Sequence, residues 1–173
     1  MKKQIQLKLN MSELIYDIQN KTYLTGRSLN DGSNHSHVAN MQANDDDENE
    51  AQILRSITSA NSVLRNRLSE YIEAPDLTSD NDSLKTNDSI TLTLEMPSNF
   101  NASVSKTIGE AAHQFIVATA IADWFAITAK GETTDYQAIA TSALGVLEEA
   151  LCKRSRPHRP NKGAETSLPP YNQ

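Results

Sequence analysis

The sequence predicts a mainly α chain of α+β class. It has three long helices and a short N-terminal helix in a bundle, a small two-stranded β element and an extended C-terminal arm. Three observations carry this. Apolar residues recur every three to four positions over 47–73, 103–129 and 134–155, the period of a helix with one buried face. Two short segments, 3–9 and 90–96, instead alternate apolar and polar residues, the period of a half-buried strand. The last stretch, from Pro157, combines prolines and cations in a pattern no helix continues through.

In chain order, "QIQLKLN" directs Ile5, Leu7 and Leu9 to one side and Gln4, Gln6 and Lys8 to the other. Asn10 and Glu13 then have the spacing of a capping box. The short helix that follows carries Met11, Leu14, Ile15 and Ile18 on one face, and Gly26 is read as its stop. Residues 28–46 form a polar connector with turn signals at Asp31-Gly32 and Gly32-Ser33. Asp47 and Glu50 suit the start of the first long helix, whose stripe is Ile53, Ile57, Leu64, Leu68 and Ile72. Residues 74–88 form a second polar connector.

"SITLTLEMP" repeats the alternation, with Ile90, Leu92 and Leu94 inward. A lone pair of such strands is marginal, so the ribbon must lie on the helices or join a neighbour's sheet. The two are far apart in sequence, so their direction stays open. Ser103 is read as the cap of the next helix. After residue 111 its apolar residues nearly encircle it, from Phe115 and Ile116 to Trp124, Phe125 and Ile127, the mark of a helix buried on several sides. Thr134 and Gln137 suggest a capping box for the last helix, with Tyr136, Ile139, Ala140, Ala143, Leu144, Leu147 and Leu151 in its stripe. The connection between these two helices is short, so they should be antiparallel, with alanines letting the axes approach. Phe115, Trp124 and Leu147 are the expected centre of the core.

The length suits one helical domain, 1–156, followed by an arm, 157–173. The net charge is −6. Lys153, Arg154, Arg156, Arg159 and Lys162 contribute five positive charges within "KRSRPHRPNK". Without them 11 basic residues face 22 acidic ones, a charge of −11, which disfavours wrapping of nucleic acid. Cys152 is the only cysteine, so an internal disulfide and a thiolate metal cluster within one chain are excluded. "MKKQIQLKLNMSE" has no apolar run after its lysines and does not read as a secretory signal. "FIVATAIADWFAIT" is broken by Asp123 and reads as too short for a membrane span. A soluble protein made in the cytoplasm is expected.

Chemistry-bearing motifs are sparse. "HSH", His35 and His37, has a spacing that can serve zinc, but a site needs about four ligands, and a solvated loop is the expectation. "DDDE" at 45–48 lacks the glycine and terminal glutamate of a calcium loop and reads as the acidic start of a helix. There is no phosphate-cradling glycine loop and no nucleophile elbow. His113 has no evident nucleophile or carboxylate partner in the sequence and reads as a packed, hydrogen-bonded core residue. Asp123, inside an apolar helix, needs a partner such as Arg65 or Arg67 if buried, or else lies exposed between subunits. Cys152 reads as a small packed residue. No catalytic residue, cofactor or metal is expected.

The arm is the strongest non-structural feature. Pro157 and Pro160 favour an extended path, and the spread arginines suit carboxylates on a neighbouring acidic subunit. A frayed, solubilising tail is the plain alternative; a nucleic-acid arm is a poorer fit, because the segment is short and no aromatic is interleaved among its cations.

"LIYDIQNKTYLTGRS" with "VANMQANDDDENE", and "ITLTLEMPSNFNASVSKTIGEAAHQFIVATAIADWFAIT" with "KRSRPHRP", resemble small virion structural proteins of tailed phages and prophages of Bacteroides-like bacteria, of the head–tail connector or tail-completion type. The resemblance spans most of the chain. It implies a non-enzymatic ring subunit at the head–tail junction or neck, located in the virion. Its partners would be copies of itself and other virion proteins such as portal or tail subunits, with DNA at most passing through the lumen. Another tail or virion component is the near alternative, and a phage binding module or assembly chaperone the further one. The resemblance transfers no catalytic residue. The two separated strands depart from the plain helical bundle of head–tail adaptors.

Overall fold

The computed structural model of the chain describes residues 2–72 and 89–157. Its elements are β1 (Lys3–Asn10), α1 (Met11–Ser28), α2 (His35–Met41), α3 (Asp47–Arg67), β2 (Ser89–Met96), α4 (Ser105–Thr128) and α5 (Thr133–Cys152). The chain is thus mostly helical, with a small two-stranded antiparallel sheet.

α4 is the centre. It packs against α5 most extensively, then α3, α1, β1 and α2. Its apolar residues run nearly all the way round because neighbours cover it on several sides, from Ile108 through Phe115, Ile116 and Ile121 to Phe125. By length and composition the segment Ala102–Thr128 is apolar enough to cross a membrane, and most of it is buried against the rest of the chain. α5 runs antiparallel to α4. Phe125 near the end of α4 meets Tyr136 near the start of α5 edge-on at 5.4 Å, and Phe100 before α4 pairs with Arg154 after α5. Ala111, Ala112, Ala118, Ala140, Ala143 and Ala150 are all buried, and small side chains at such a contact permit a short interaxial distance.

The two alternating segments pair with each other, in register Ile5↔Leu94, Leu7↔Leu92 and Leu9↔Ile90. All six of these apolar residues share one face, because side chains alternate along a strand. That face rests on the helices: β1 contacts α1 and α4. The far edge of β2 is tied to the end of the α3 segment, where the Glu95 N–H donates to the Tyr71 carbonyl at 2.7 Å.

Several local expectations are corrected. The connector 28–46 contains α2, whose Val38 and Met41 are buried one turn apart. Gly26 is not the stop of α1. It lies inside the helix, and a Cβ there would stand 3.2 Å from the Val38 carbonyl oxygen, so its bareness lets α2 approach. Thr22 anchors the same junction: its buried hydroxyl donates to the Gln19 carbonyl and accepts the Ala43 N–H. The first long helix ends at Arg67, not 73, since residues 68–71 turn to bring Tyr71 and Ile72 to β2. Its N-cap is Asp46 rather than Asp47. Ser103 is not the cap of α4: it lies in a short 3-10 turn, Ala102–Val104, capped by the Asn101 side chain, which accepts from the Ser103 N–H and hydroxyl, and α4 begins after Val104 without a side-chain cap. α5 begins after Glu132, and the Thr134–Gln137 capping box does not form. The connector 74–88 lies outside the described residues.

Candidate functional site

The end of α5 is where the chain's basic segment begins. α5 stops at Cys152, and residues 153–157 turn into an extended strip beside the loop that follows β2. The Asn101 N–H donates to the Lys153 carbonyl at 3.2 Å, and the Ser155 N–H donates to the Asn99 carbonyl at 2.7 Å. Phe100, fully buried, sits between them and pairs with Arg154. The Arg154 guanidinium donates to the Leu151 carbonyl at 2.7 Å, satisfying one of the acceptors a helix leaves open at its C-terminus. Lys153 Nζ lies 2.5 Å from Glu149 Oε1, and this hydrogen bond and charge hold the Glu149 carboxyl below its usual range. Lys153 and Arg154, expected to reach a neighbouring subunit, each have a hydrogen bond within their own. Arg156 is exposed. Arg159 and Lys162, with the arm 158–173, lie outside the described residues.

A groove of about 380 Å³ lies where the segment after α3 meets the end of β2, lined among others by Glu70, Tyr71, Ile72, Glu95 and Pro97. Glu95 accepts from the exposed Lys2 at 2.6 Å. Glu70 makes no hydrogen bond or ion pair with another group among the described residues.

A second polar feature lies along the seam of α1 and α4. His113 Nε2 is 2.9 Å from Asp17 Oδ2, both partly exposed. A hollow of about 400 Å³ opens beside it, with Lys8, Asn10, Glu13 and Glu110 on its rim. The sequence alone showed no carboxylate for His113, because Asp17 comes from a different helix 96 residues away. Asp17 holds the imidazole in a fixed orientation. Among the described residues no hydroxyl or thiol hydrogen-bonds to His113, so no activated nucleophile is assembled there.

Asp123 is exposed, and among the described residues no arginine pairs with it; Arg67 instead faces Glu148 at 3.7 Å. Partial burial raises the Asp123 carboxyl above its ordinary range, against the lowering effect of a hydrogen bond with Ser56. The raised value fixes a sign. Above it the carboxylate costs the folded state, and the cost disappears as pH falls through it. Asp123→Asn is accordingly expected to melt higher than wild type at pH 7. The gap should close as the buffer is acidified through the carboxyl range. Thermal melts of both proteins across that range check this, and a gap that widens on acidification contradicts it.

His35 and His37 lie on α2, not in a loop, and are exposed. Two positions along a helix turn by roughly 200°, so the two rings diverge. Among the described residues no group of three or more His, Cys, Asp or Glu is arranged to hold a metal ion. Asp45 accepts from Gln19, and Asp46, Asp47 and Glu48 sit at the start of α3 as acids suited to its dipole. Cys152 is exposed rather than packed, because α5 ends there without a covering element.

Phe115, Trp124 and Leu147 lie in the core, and Trp124 Nε1 donates to the Met41 carbonyl at 2.8 Å. Two residues assigned to apolar stripes lie outside it. Ile127 is 66 % exposed and Ile139 39 %, because α4 and α5 project these positions past their neighbours. Ile139 lines an apolar groove with Leu24, Ala118 and Tyr136, closed at one end by the 2.8 Å hydrogen bond between Thr25 and Tyr136. Val146, two turns along from Ile139, is also exposed. Between Asp135 and Glu148 α5 carries no charged residue. Its outer surface there is Ala138, Ile139, Thr141, Ser142, Gly145 and Val146. The sequence does contain this signal, a long run without charge, but its helical period assigns Ile139 to the core stripe.

The chain matches no family model, no curated protein and no solved structure.

Proposed function

We propose that the chain is a non-enzymatic structural subunit of a tailed-phage virion, a ring-forming component of the head–tail connector or neck. Its helices form a bundle that packs laterally against copies of itself. The observation that carries this reading is the outer surface of α5: a charge-free face with exposed Ile139 and Val146. Soluble surface helices ordinarily carry charged residues on the outward side, and depletion of charge marks the centre of an interface. The sequence resemblance supplies the virion context. Lys153 and Arg154 stay on their own subunit, and the arm extends to a neighbour through its later residues. The exposed acids Asp45, Asp46, Asp47 and Glu48 offer a like-charged wall past which DNA moves without sticking.

Native mass spectrometry of the full chain should give a closed oligomer, and mass spectrometry of purified particles should find the protein in them. Ile139→Glu would bury an unpaired carboxylate in the contact, a penalty of about 2 kcal/mol or more, or a roughly 30-fold weaker association. The isolated subunit should keep its helical content. A wild-type chain that stays monomeric at all concentrations and is absent from particles overturns the reading.

A further inference from the structure

The central helix carries complementary features on opposite sides. On one side, Gln114 and Ala118 of α4 line the apolar groove of about 310 Å³, together with Leu24 of α1 and Tyr136 and Ile139 of α5. An α-helix turns once in 3.6 residues, so nine positions make about two and a half turns. Nine positions on from Gln114 stands Asp123, and nine on from Ala118 stands Ile127. These two therefore lie on the side of α4 away from the groove. There Ile127 adjoins a hollow lined by Asn40 after α2's middle and by Asp46 and Asn49 at the start of α3. Ile127 is the most exposed large apolar side chain among the described residues. We infer that Ile127 of one copy inserts into the Leu24–Ile139 groove of the next, with Asp123 of the first against Lys21 of the second.

This rests on the reading that copies of the chain pack laterally, and adds what meets the α5 face: the end of a neighbour's α4. Apolar surface is left open on both sides of the contact. Leu24 is 50 % exposed and Ile139 39 %, and the projecting Ile127 has no covering element. Removing such surface from water is the main drive of association. Charge complements it. Lys21 lines the groove and forms no ion pair among the described residues. Asp123 comes one turn before Ile127, so the two share a face. It is exposed and has no cation beside it among the described residues. A lysine at the receiving groove and a carboxylate beside the inserting side chain supply each other's counter-charge across the contact. The opposite placement sets the symmetry. Two unlike patches on opposite sides make a head-to-tail contact that each copy hands to the next, and the series closes into a ring where the rotations sum to a full circle. A patch that met its own twin would stop at a dimer.

Two blocked variants of the full chain test this. Both changes fall at exposed positions, and circular dichroism checks that each variant keeps its helices. Ile127→Glu spoils the inserting side chain and leaves the groove. Ile139→Glu spoils the groove and leaves the inserting side chain. Each alone should self-associate at least about 30-fold more weakly than wild type, the loss expected when a carboxylate is buried without a partner. Mixed, the two share one intact contact, Ile127 of the second variant in the groove of the first. Sedimentation equilibrium and native mass spectrometry should then find a 1:1 pair, at least about tenfold tighter than the self-association of either. In the wild-type background Lys21→Glu should weaken assembly up to about fivefold at low salt, and adding Asp123→Lys should restore it. Three results overturn the inference while leaving lateral packing through α5 in place: Ile127→Glu that assembles like wild type, a mixture that pairs no better than its components, or a double reversal no better than the single. Assembly lost in Ile139→Glu alone identifies an α5-to-α5 contact and overturns it likewise. A wild-type chain that stays monomeric at all concentrations overturns the inference and the lateral-packing reading together.

Discussion

Trp124→Ala is expected to lower the unfolding free energy by about 3–5 kcal/mol, the usual cost of emptying an aromatic core site. Trp124 is 7 % exposed, near the C-terminal end of the most enclosed helix. Two contributions add. The indole fills space between α4 and its neighbours, and its N–H donates to the Met41 carbonyl at 2.8 Å, which fastens α2 to α4. Trp124→Phe separates them: it keeps most of the volume, loses the hydrogen bond and should cost about 1–3 kcal/mol. For a chain of this size the alanine variant should melt roughly 6–20 °C lower. Circular dichroism is the proper probe, since Trp124 is the only tryptophan. A melting temperature near wild type would show that the site collapses around the missing ring or that the indole packs elsewhere.

Phe100→Ala should be comparably severe, about 3–5 kcal/mol, and should have a second, local effect. Phe100 is fully buried although it sits in the turn between β2 and α4. Its carbonyl accepts from Lys3 Nζ at 2.7 Å and from the Ser155 hydroxyl at 3.3 Å. One residue therefore joins the start of β1, the end of β2 and the strip after α5. Removing the ring should loosen that strip as well as the core. Amide exchange at Ser155 should then accelerate more than exchange at the middle of α5. Equal acceleration at both would mean that Phe100 acts only through global stability.

These two residues also show what a sequence can and cannot disclose. Trp124 lies within an apolar periodicity of over twenty residues, so its burial follows from a pattern repeated many times. Phe100 stands alone in a turn, with no period to report its direction, and its burial depends on three segments meeting there. The helices and the two strands were legible for the first reason, and the pairing of the strands from their matched lengths. α2 was hidden because seven residues are too short to show a period. The His113–Asp17 pair was hidden because pattern reading works within an element, and this contact is between two. Ile127 and Ile139 were misplaced by the same limit: periodicity marks which positions share a face, and only the packing decides where a helix outruns its neighbours.

The antiparallel pairing of β1 with β2 has a consequence in time. β1 is finished at Asn10, but its partner ends at Met96. During synthesis the apolar side of β1, with Ile5, Leu7 and Leu9, must wait for roughly eighty further residues. At the usual bacterial pace of ~5–20 residues per second, that is about 4–16 s. α1, which follows β1 directly, is the first element able to shelter it, and α4, which provides the larger surface, emerges later still. The closing of the sheet is thus a late step with a long loop to draw in. A nascent chain stalled before β2 would present an unpaired strand with one greasy side to every other such chain on the same message.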